Sequence, residues 1–560
     1  MITYALVLVL FLAVLALLSV PLGRHVARVV SGERTFLHPV LGPVERLLYR
    51  AAGVDPTEEM TWRAYAGSLL VFSLVGTIGL YVLQRVQGSL PLNPQRVPGV
   101  SAGVALNVAA SWVTATNWQS YVPESTMSHL TQMVGLTWHN FTAAAAGGAM
   151  LLALVRGMVR QRSDRIGNFW ADLVRITLYV LLPVAFVIAI LFVWQGVPQT
   201  LHGAAIVTPL EGGRQVIALG PVASQEAIKL LGVNGGGFFN ANSAHPFENP
   251  TPLSNLIQLF AVLLIPSSLT CAFGVLVGDR RQGWALWAAM AILLAAGFAL
   301  AAYSEGAGTH TMTLNLEGKE MRFSPVENAL SLAVNTDTSC GAANVMYDSL
   351  TPLSGLVATV NIALGEVVFG GVGSGLYGML AFALVTVFLG GLMIGRAPEY
   401  LGKKIEAREM KLVMMSLLIT PAVVLTLTAI AMVIQPGLEG MGNRGPHGFA
   451  EVLYAYSSAT NGNGSSFAGL TATNSWWLYS LTAAMLAGRF LVAIPLLAIG
   501  GSLARKPRVA PSTATLPTAS PLFVGMLVGV VLLVSALTYF PALALGPLLE
   551  HLVMRQGALY

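Results

Sequence analysis

Asn234-Gly235-Gly236-Gly237 interrupts strongly apolar sequence without carrying a charge. Three more uncharged knots share its character: Thr116-Asn117-Trp118-Gln119, Ser339-Cys340-Gly341-Ala342 and Asn461-Gly462-Asn463-Gly464. Successive knots lie roughly 105 to 125 residues apart, a spacing that reads as internal repetition. Irregular backbone is tolerated at membrane depth only where protein or a water-filled path satisfies its polar groups. Four equivalent interruptions therefore point to one shared cavity, and their neutral chemistry to a monovalent-cation filter built by one chain.

The composition sets the solvent. Of 560 residues, 55% are hydrophobic and only 10% charged, and the mean hydropathy is +0.70. A soluble domain of this length does not expose so much apolar surface, so the chain reads as an integral membrane protein. A crossing helix needs about 20 apolar residues. Ten stretches qualify, near 2–20, 64–84, 141–159, 172–194, 255–278, 283–302, 355–394, 412–434, 477–500 and 521–545. The first lacks a small-residue cleavage site before Pro21 and is followed by Arg24 and Arg28, which predicts a retained helix with its N-terminus outside. Alternation from there places 21–63, 156–175, 279–282, 395–411 and 501–520 on the cytoplasmic side, where 21 of the 30 Lys and Arg residues fall. The net charge of +5 thus reflects topology, and no nucleic-acid site is read into it. The two cysteines, Cys271 and Cys340, indicate no disulfide framework and no metal cluster.

Each knot follows a short stretch, approximately 101–115, 222–232, 325–338 and 446–459, long enough for a half-membrane helix and too short to span. A helix that dips in from outside aims its C-terminal dipole, about half a negative charge, at the centre of the assembly. The predicted fold is all-α, with ten transmembrane helices and four pseudo-fourfold repeats of span, re-entrant pore helix, filter strand and span. The repeats are expected at 57–165, 166–281, 282–410 and 411–508, flanked by one extra helix in 1–56 and another in 509–560. The competing reading makes the knots ordinary outer loops of turn-forming Asn and Gly, against which their common register weighs.

Potassium filters use rings of backbone carbonyls, whereas divalent-selective pores favour rings of Asp or Glu. The knots hold no acid, and glycine gives the positive-φ freedom that aims successive carbonyls at one axis. The candidate filter set is Thr116, Asn117, Gln119, Asn234, Gly235, Gly236, Ser339, Cys340, Gly341, Asn463 and Gly464. Whether the Asn and Gln side chains, Asn461 included, line the path or brace it from behind is left open by the sequence.

The stretch 355–394 would measure ~60 Å as one helix, about twice the hydrocarbon thickness. It must break, and Gly370, Gly371, Gly373, Gly375 and Gly378 cluster where it should. A flexible loop beneath the filter is expected there, the alternative being small residues for close helix packing. No Lys-Ser or Lys-Thr follows the glycines, so the run is not a phosphate-binding loop. Glu366, beside this loop, and Arg489 are the ionisable residues within spans, and a Glu366–Arg489 pair is expected, its role structural or on the ion path. His245 and Glu248 are set aside as metal ligands because Pro246 and Pro250 break the helix that would align them.

Four strings carry a family resemblance: Trp118-Gln119-Ser120-Tyr121, Gly235 through Asn249, Gly365 through Gly378, and Pro398-Glu399-Tyr400-Leu401-Gly402-Lys403-Lys404. Together with Gly445 to Phe449 and Pro541 to Pro547, they resemble the KdpA family, the potassium-binding A subunits of the bacterial Kdp potassium-transporting ATPase. The resemblance covers essentially the whole chain. It implies membership of the superfamily of potassium transporters, a place in the bacterial inner membrane, and three partners: the P-type ATPase subunit KdpB, the single-span subunit KdpC and the small hydrophobic peptide KdpF. It further implies that periplasmic potassium is captured at the filter and passed through an intramembrane tunnel to KdpB, where ATP is bound and hydrolysed. This chain would then be no enzyme and hold no organic cofactor, in keeping with the lack of a Walker A sequence and of Asp-Lys-Thr-Gly. The implied gate and tunnel residues are Glu366, Gly370, Gly371, Gly373, Ser374, Gly375, Arg396 near the cytoplasmic exit, and Arg489. Without the resemblance, a passive potassium channel or a sodium-linked symporter subunit fits equally. A membrane enzyme would need convergent acids and bases that the sequence does not offer.

Overall fold

In the computed structural model, residues 2–307, 315–395, 398–510 and 515–557 are described. Among them are ten helices long and apolar enough to cross a bilayer: Thr3–Val30, Trp62–Ser89, Thr131–Val159, Phe169–Trp194, Pro252–Leu276, Arg280–Ala307, Ser374–Met393, Ala407–Ala431, Ser475–Arg505 and Pro521–Arg555. They match the ten predicted stretches one for one. Their starts follow local chemistry. Asn168 accepts from the Trp170 and Ala171 amides, and Thr251 with Ser254 closes a reciprocal cap around Pro252.

Burial sorts these helices into two sets. In Thr131–Val159, 89% of the apolar window is enclosed by protein, against 17% in Thr3–Val30. The first is a central post and the second a peripheral helix whose Leu6, Val9 and Leu17 stay on the outer surface. In water such a surface would aggregate, and in a bilayer it faces its proper solvent. The central helices approach through small residues: a Cβ added at Gly157 would overlap the Gly500 backbone, so Thr131–Val159 and Ser475–Arg505 cross at backbone contact.

Four shorter helices, Ala102–Val113, Val222–Leu231, Pro325–Asp337 and Gly445–Thr460, occupy the predicted half-membrane stretches. The run 355–394 is broken as its length requires, into Pro352–Ala363 and Ser374–Ile394. Several elements were not foreseen. The first helix continues to Val30, ten residues past its predicted end, with Pro21 inside it removing one backbone donor without ending the helix. His38–Ala52 is a further helix between the first two spans. The short hairpin of Glu399–Tyr400 with Lys403–Lys404 turns on Leu401 (φ 51°) and Gly402 (φ 74°), the two left-handed residues a tight hairpin demands.

Candidate functional site

The four short helices end alike. Their caps are Thr114, Gly232, Thr338 and Asn461. The next residue in each case is left-handed: Ala115 at φ 65°, Val233 at 54°, Ser339 at 54° and Gly462 at 73°. One residue on, a backbone amide returns to the carbonyl five residues earlier, as Thr116 to Ser111 (2.9 Å), Asn234 to Lys229 (3.0 Å), Cys340 to Asn335 (2.9 Å) and Asn463 to Ser458 (2.9 Å). The left-handed residue reverses the chain, and the returning bond satisfies a carbonyl that a helix end leaves open. Three of the four reversals use residues with a Cβ, at a cost of roughly 1–2 kcal/mol each that the surrounding packing offsets.

Beyond the reversal the loops meet in a closed circuit. A Cβ on Gly236 would lie 2.8 Å from Asn117 Cβ, and one on Gly235 would strike the Gly341 backbone. One on Gly341 would lie 2.6 Å from the Asn463 carbonyl, and one on Gly464 would strike the Thr116 carbonyl. Loop one thus touches two, two touches three, three touches four, and four returns to one. The Gly341 amide donates to the Asn234 carbonyl at 3.4 Å, and Gln119 Nε2 to the Gly237 carbonyl at 3.0 Å. Thr116, Asn117, Asn234, Ser339, Cys340 and Asn463 are buried, and Gln119 is partly exposed.

Several side chains that the sequence left undecided turn out to brace. Asn117 Nδ2 donates to Asn140 Oδ1 at 2.5 Å. Asn463 Nδ2 donates to the Asn335 carbonyl at 3.1 Å, while its oxygen accepts from the Ser465 amide at 2.9 Å. Thr116 pairs its hydroxyl with that of Thr114 at 2.9 Å. Asn234 keeps both polar atoms of its side chain, and Ser339 its hydroxyl, buried without a hydrogen-bond partner, and none of the loops contributes a carboxylate.

Under the ring lies a cavity of about 100 Å³. Thr114, Thr116 and Asn461 line it near the ring, Glu366, Ser374 and Arg489 line its middle, and Ser535 and Thr538 of the Pro521–Leu543 helix line its side. Leu364, Gly365, Glu366 and Val367 at the start of the break also line it, and further into the break Phe369 (φ 59°), Gly370 (61°) and Gly373 (89°) are left-handed. A Cβ on Gly370 or Gly375 would overlap the other's backbone, so the loop closes on itself, and Gly371 lies against the Glu366 carboxylate. The expected Glu366–Arg489 ion pair does not form. Arg489 Nη2 instead donates to the Ala143 carbonyl at 3.0 Å, and Glu366 faces Gly462 of the fourth loop. Both still line one cavity. Arg396 lies outside the described residues.

His245 stacks on Phe239 with ring centroids 3.8 Å apart, and its Nδ1 accepts from the Phe247 amide at 3.0 Å. Glu248 belongs instead to a buried cluster with Glu226 and Lys229 that the sequence reading missed. Its signal was the Glu226-x-x-Lys229 spacing, which puts opposite charges on one face of a largely buried half-helix.

A profile of the KdpA family, described as potassium-transporting ATPase A subunit, matches residues 9–552. The chain belongs to the KdpA family. It is 55% identical over 556 residues to a potassium-transporting ATPase potassium-binding subunit of Solibacter usitatus, and 54% identical over 556 residues to one of Brucella anthropi, each covering 98% of both chains. In three dimensions it is similar to the potassium transporter TrkH of Vibrio parahaemolyticus, with a TM-score of 0.51 and 16% identity, over 88% of this chain and 97% of that one. That likeness is one of fold, and it puts this KdpA-family chain among helical membrane proteins of the same architecture.

Proposed function

We propose that this chain is the potassium-binding subunit of an ATP-driven potassium uptake complex, and that the ring of four loops is its selectivity filter. The observation that carries the reading is the closed circuit of contacts from loop to loop, with each loop leaving the C-terminus of a short helix and none of the four holding an acid. Such a ring offers a dehydrated monovalent cation carbonyl oxygens and dipoles, and gives a divalent ion no carboxylate. The chain divides into four pore repeats, 57–165, 166–281, 282–410 and 411–508, with an added helix before and after.

Ions leaving the filter enter the cavity, where the 364–373 loop blocks the straight path and Gly370, Gly371, Gly373, Ser374 and Gly375 form its gate. Glu366 and Arg489 set the potential of that chamber, and the side toward Ser535 and Thr538 leads out laterally. Hydrolysis belongs to a P-type ATPase partner, with a single-span subunit and a small hydrophobic peptide completing the complex. The chain itself has no catalytic role. It resides in the bacterial inner membrane with its N-terminus in the periplasm.

The relatives' names favour this reading over a passive channel or a cation-coupled symporter, since both relatives are described as parts of an ATPase. Two measurements test it. Rubidium substituted for potassium in the assembled complex is expected to give strong density on the axis of the ring, and density elsewhere only would overturn the filter assignment. Expressed without partners, the chain is expected to support no potassium uptake, and robust uptake by the lone chain would establish the rival.

A further inference from the structure

The second loop of the ring is tied to a buried cluster of charges. Lys229, on the helix Val222–Leu231, is fully buried. Its Nζ donates to Glu226 Oε2 at 2.7 Å, Glu248 Oε2 at 2.6 Å and Asn242 Oδ1 at 2.7 Å, which uses all three ammonium donors. Glu248 turns its other oxygen to the Phe239 amide at 2.8 Å. Asn242, left-handed at φ 52°, turns its amide nitrogen to the carbonyl of Gly235 in the ring. An unbroken chain of donors and acceptors therefore runs from the two carboxylates through the ammonium and the Asn242 amide to a ring oxygen.

The charge fixes the sense of that amide. Reversed, Asn242 would set NH2 against NH3+ and one carbonyl oxygen against another, so only one orientation survives. Polarisation along the chain strengthens the bond to Gly235.

A comparison within the molecule supports a bracing role for this position. Lys229 stands three residues before its helix cap, where the first, third and fourth helices carry Ser111, Asn335 and Ser458. Ser111 Oγ donates to the carbonyl of Trp118 at 3.1 Å, and Asn335 Nδ2 to that of Ala342 at 2.9 Å. Both hold the strand that follows the reversal, and both do so with neutral groups. Bracing alone therefore needs no buried charge, which costs several kcal/mol in desolvation before its partners repay it. What the charge adds is a single, fixed direction for the Gly235 carbonyl.

We propose that Lys229 is a positioning residue of the ion site, holding the Gly235 carbonyl through Asn242 and so setting how well the ring separates potassium from the neighbouring alkali cations. The proposal rests on the filter reading above.

The test is cation-stimulated ATP hydrolysis by the purified, assembled complex, with potassium and rubidium titrated separately. Asn242→Ala leaves the Lys229 ion pairs intact and removes only the relay. It is expected to raise the potassium KM about tenfold, equivalent to about 1.4 kcal/mol, and to narrow the potassium-to-rubidium KM ratio, with the rate at saturating potassium within about twofold of the parent. The charge-balanced pair Lys229→Met with Glu226→Gln is expected to show the same signature, and combining it with Asn242→Ala to add nothing, because both act on one carbonyl. An unchanged KM and ratio in Asn242→Ala overturns the proposal. So does a Lys229 pair variant that loses only yield or thermal midpoint. Gly235→Ser and Gly341→Ala separate the two levels. If they shift KM while Asn242→Ala does not, only the relay fails. If they too leave KM unchanged, the filter reading fails with it.

Discussion

His447, in the first turn of the fourth short helix, is held between carboxylates on two other elements. Its Nε2 faces Asp348 Oδ1 at 3.0 Å and its Nδ1 faces Glu550 Oε1 at 2.9 Å, with Glu451 one helical turn away. Burial alone would lower the imidazole, but the two carboxylates raise it to about 10. Asp348 is in turn held below the ordinary carboxylate range: burial opposes this, and the hydrogen bond and charge of His447 outweigh it. In its protonated form the ring donates from both nitrogens and bridges the two carboxylates. A base raised on folding stabilises fully below its unfolded value of 6.5 and loses that contribution as pH climbs through about 10. His447→Gln is therefore expected to lower stability by roughly 1.5–3 kcal/mol at pH 6. The gap in thermal midpoint between parent and variant should close as pH is raised toward 10. A gap independent of pH would show that the histidine acts by shape alone.

At the scale of elements, the break between Pro352–Ala363 and Ser374–Ile394 is the part of the fold most open to direct test. Gly373 caps the second helix at φ 89°, and a Cβ there would strike the Gly147 backbone of the central post. Gly373→Ala thus combines left-handed strain of roughly 1–2 kcal/mol with a steric clash, and must move the loop away from the post. The expected result is potassium leak down its gradient, or a changed ratio of ions moved to ATP hydrolysed, with apparent potassium affinity within about threefold of the parent. A variant that alters only expression would assign the glycines to helix packing. This break was legible beforehand, because forty apolar residues are too long for one crossing and five glycines mark the weak point. The Glu366–Arg489 pair was the natural expectation for two lone charges in spans. Arg489 found a backbone carbonyl instead, a partner that no sequence pattern announces.

Across the whole molecule, the crossing of Thr131–Val159 with Ser475–Arg505 is pinned at both levels. Gly157 and Gly500 allow backbone contact, and beyond them Lys403 Nζ donates to the carbonyls of Arg160 and Lys506 at 2.5 Å each, bridging the C-terminal ends of the two helices. Lys403→Met leaves those carbonyls without their charged donor and is expected to cost roughly 1.5–3 kcal/mol. It should be read as a lower thermal midpoint in detergent, with potassium KM unchanged in whatever complex assembles. Gly157→Leu is expected to be harsher, forcing the posts apart and abolishing assembly as judged by size-exclusion chromatography.

Apolar run length and four neutral knots at regular spacing determined the helix count, the half-membrane helices and the broken run, because each follows from local composition measured against bilayer thickness. The tertiary structure alone decided that the knots close into one ring, that Asn117 and Asn463 brace, and that Lys229 reaches a ring carbonyl through Asn242. Those contacts join residues distant along the chain, and a side chain's role there depends on which atoms the packed helices bring within about 3 Å of it, information that local patterning does not carry.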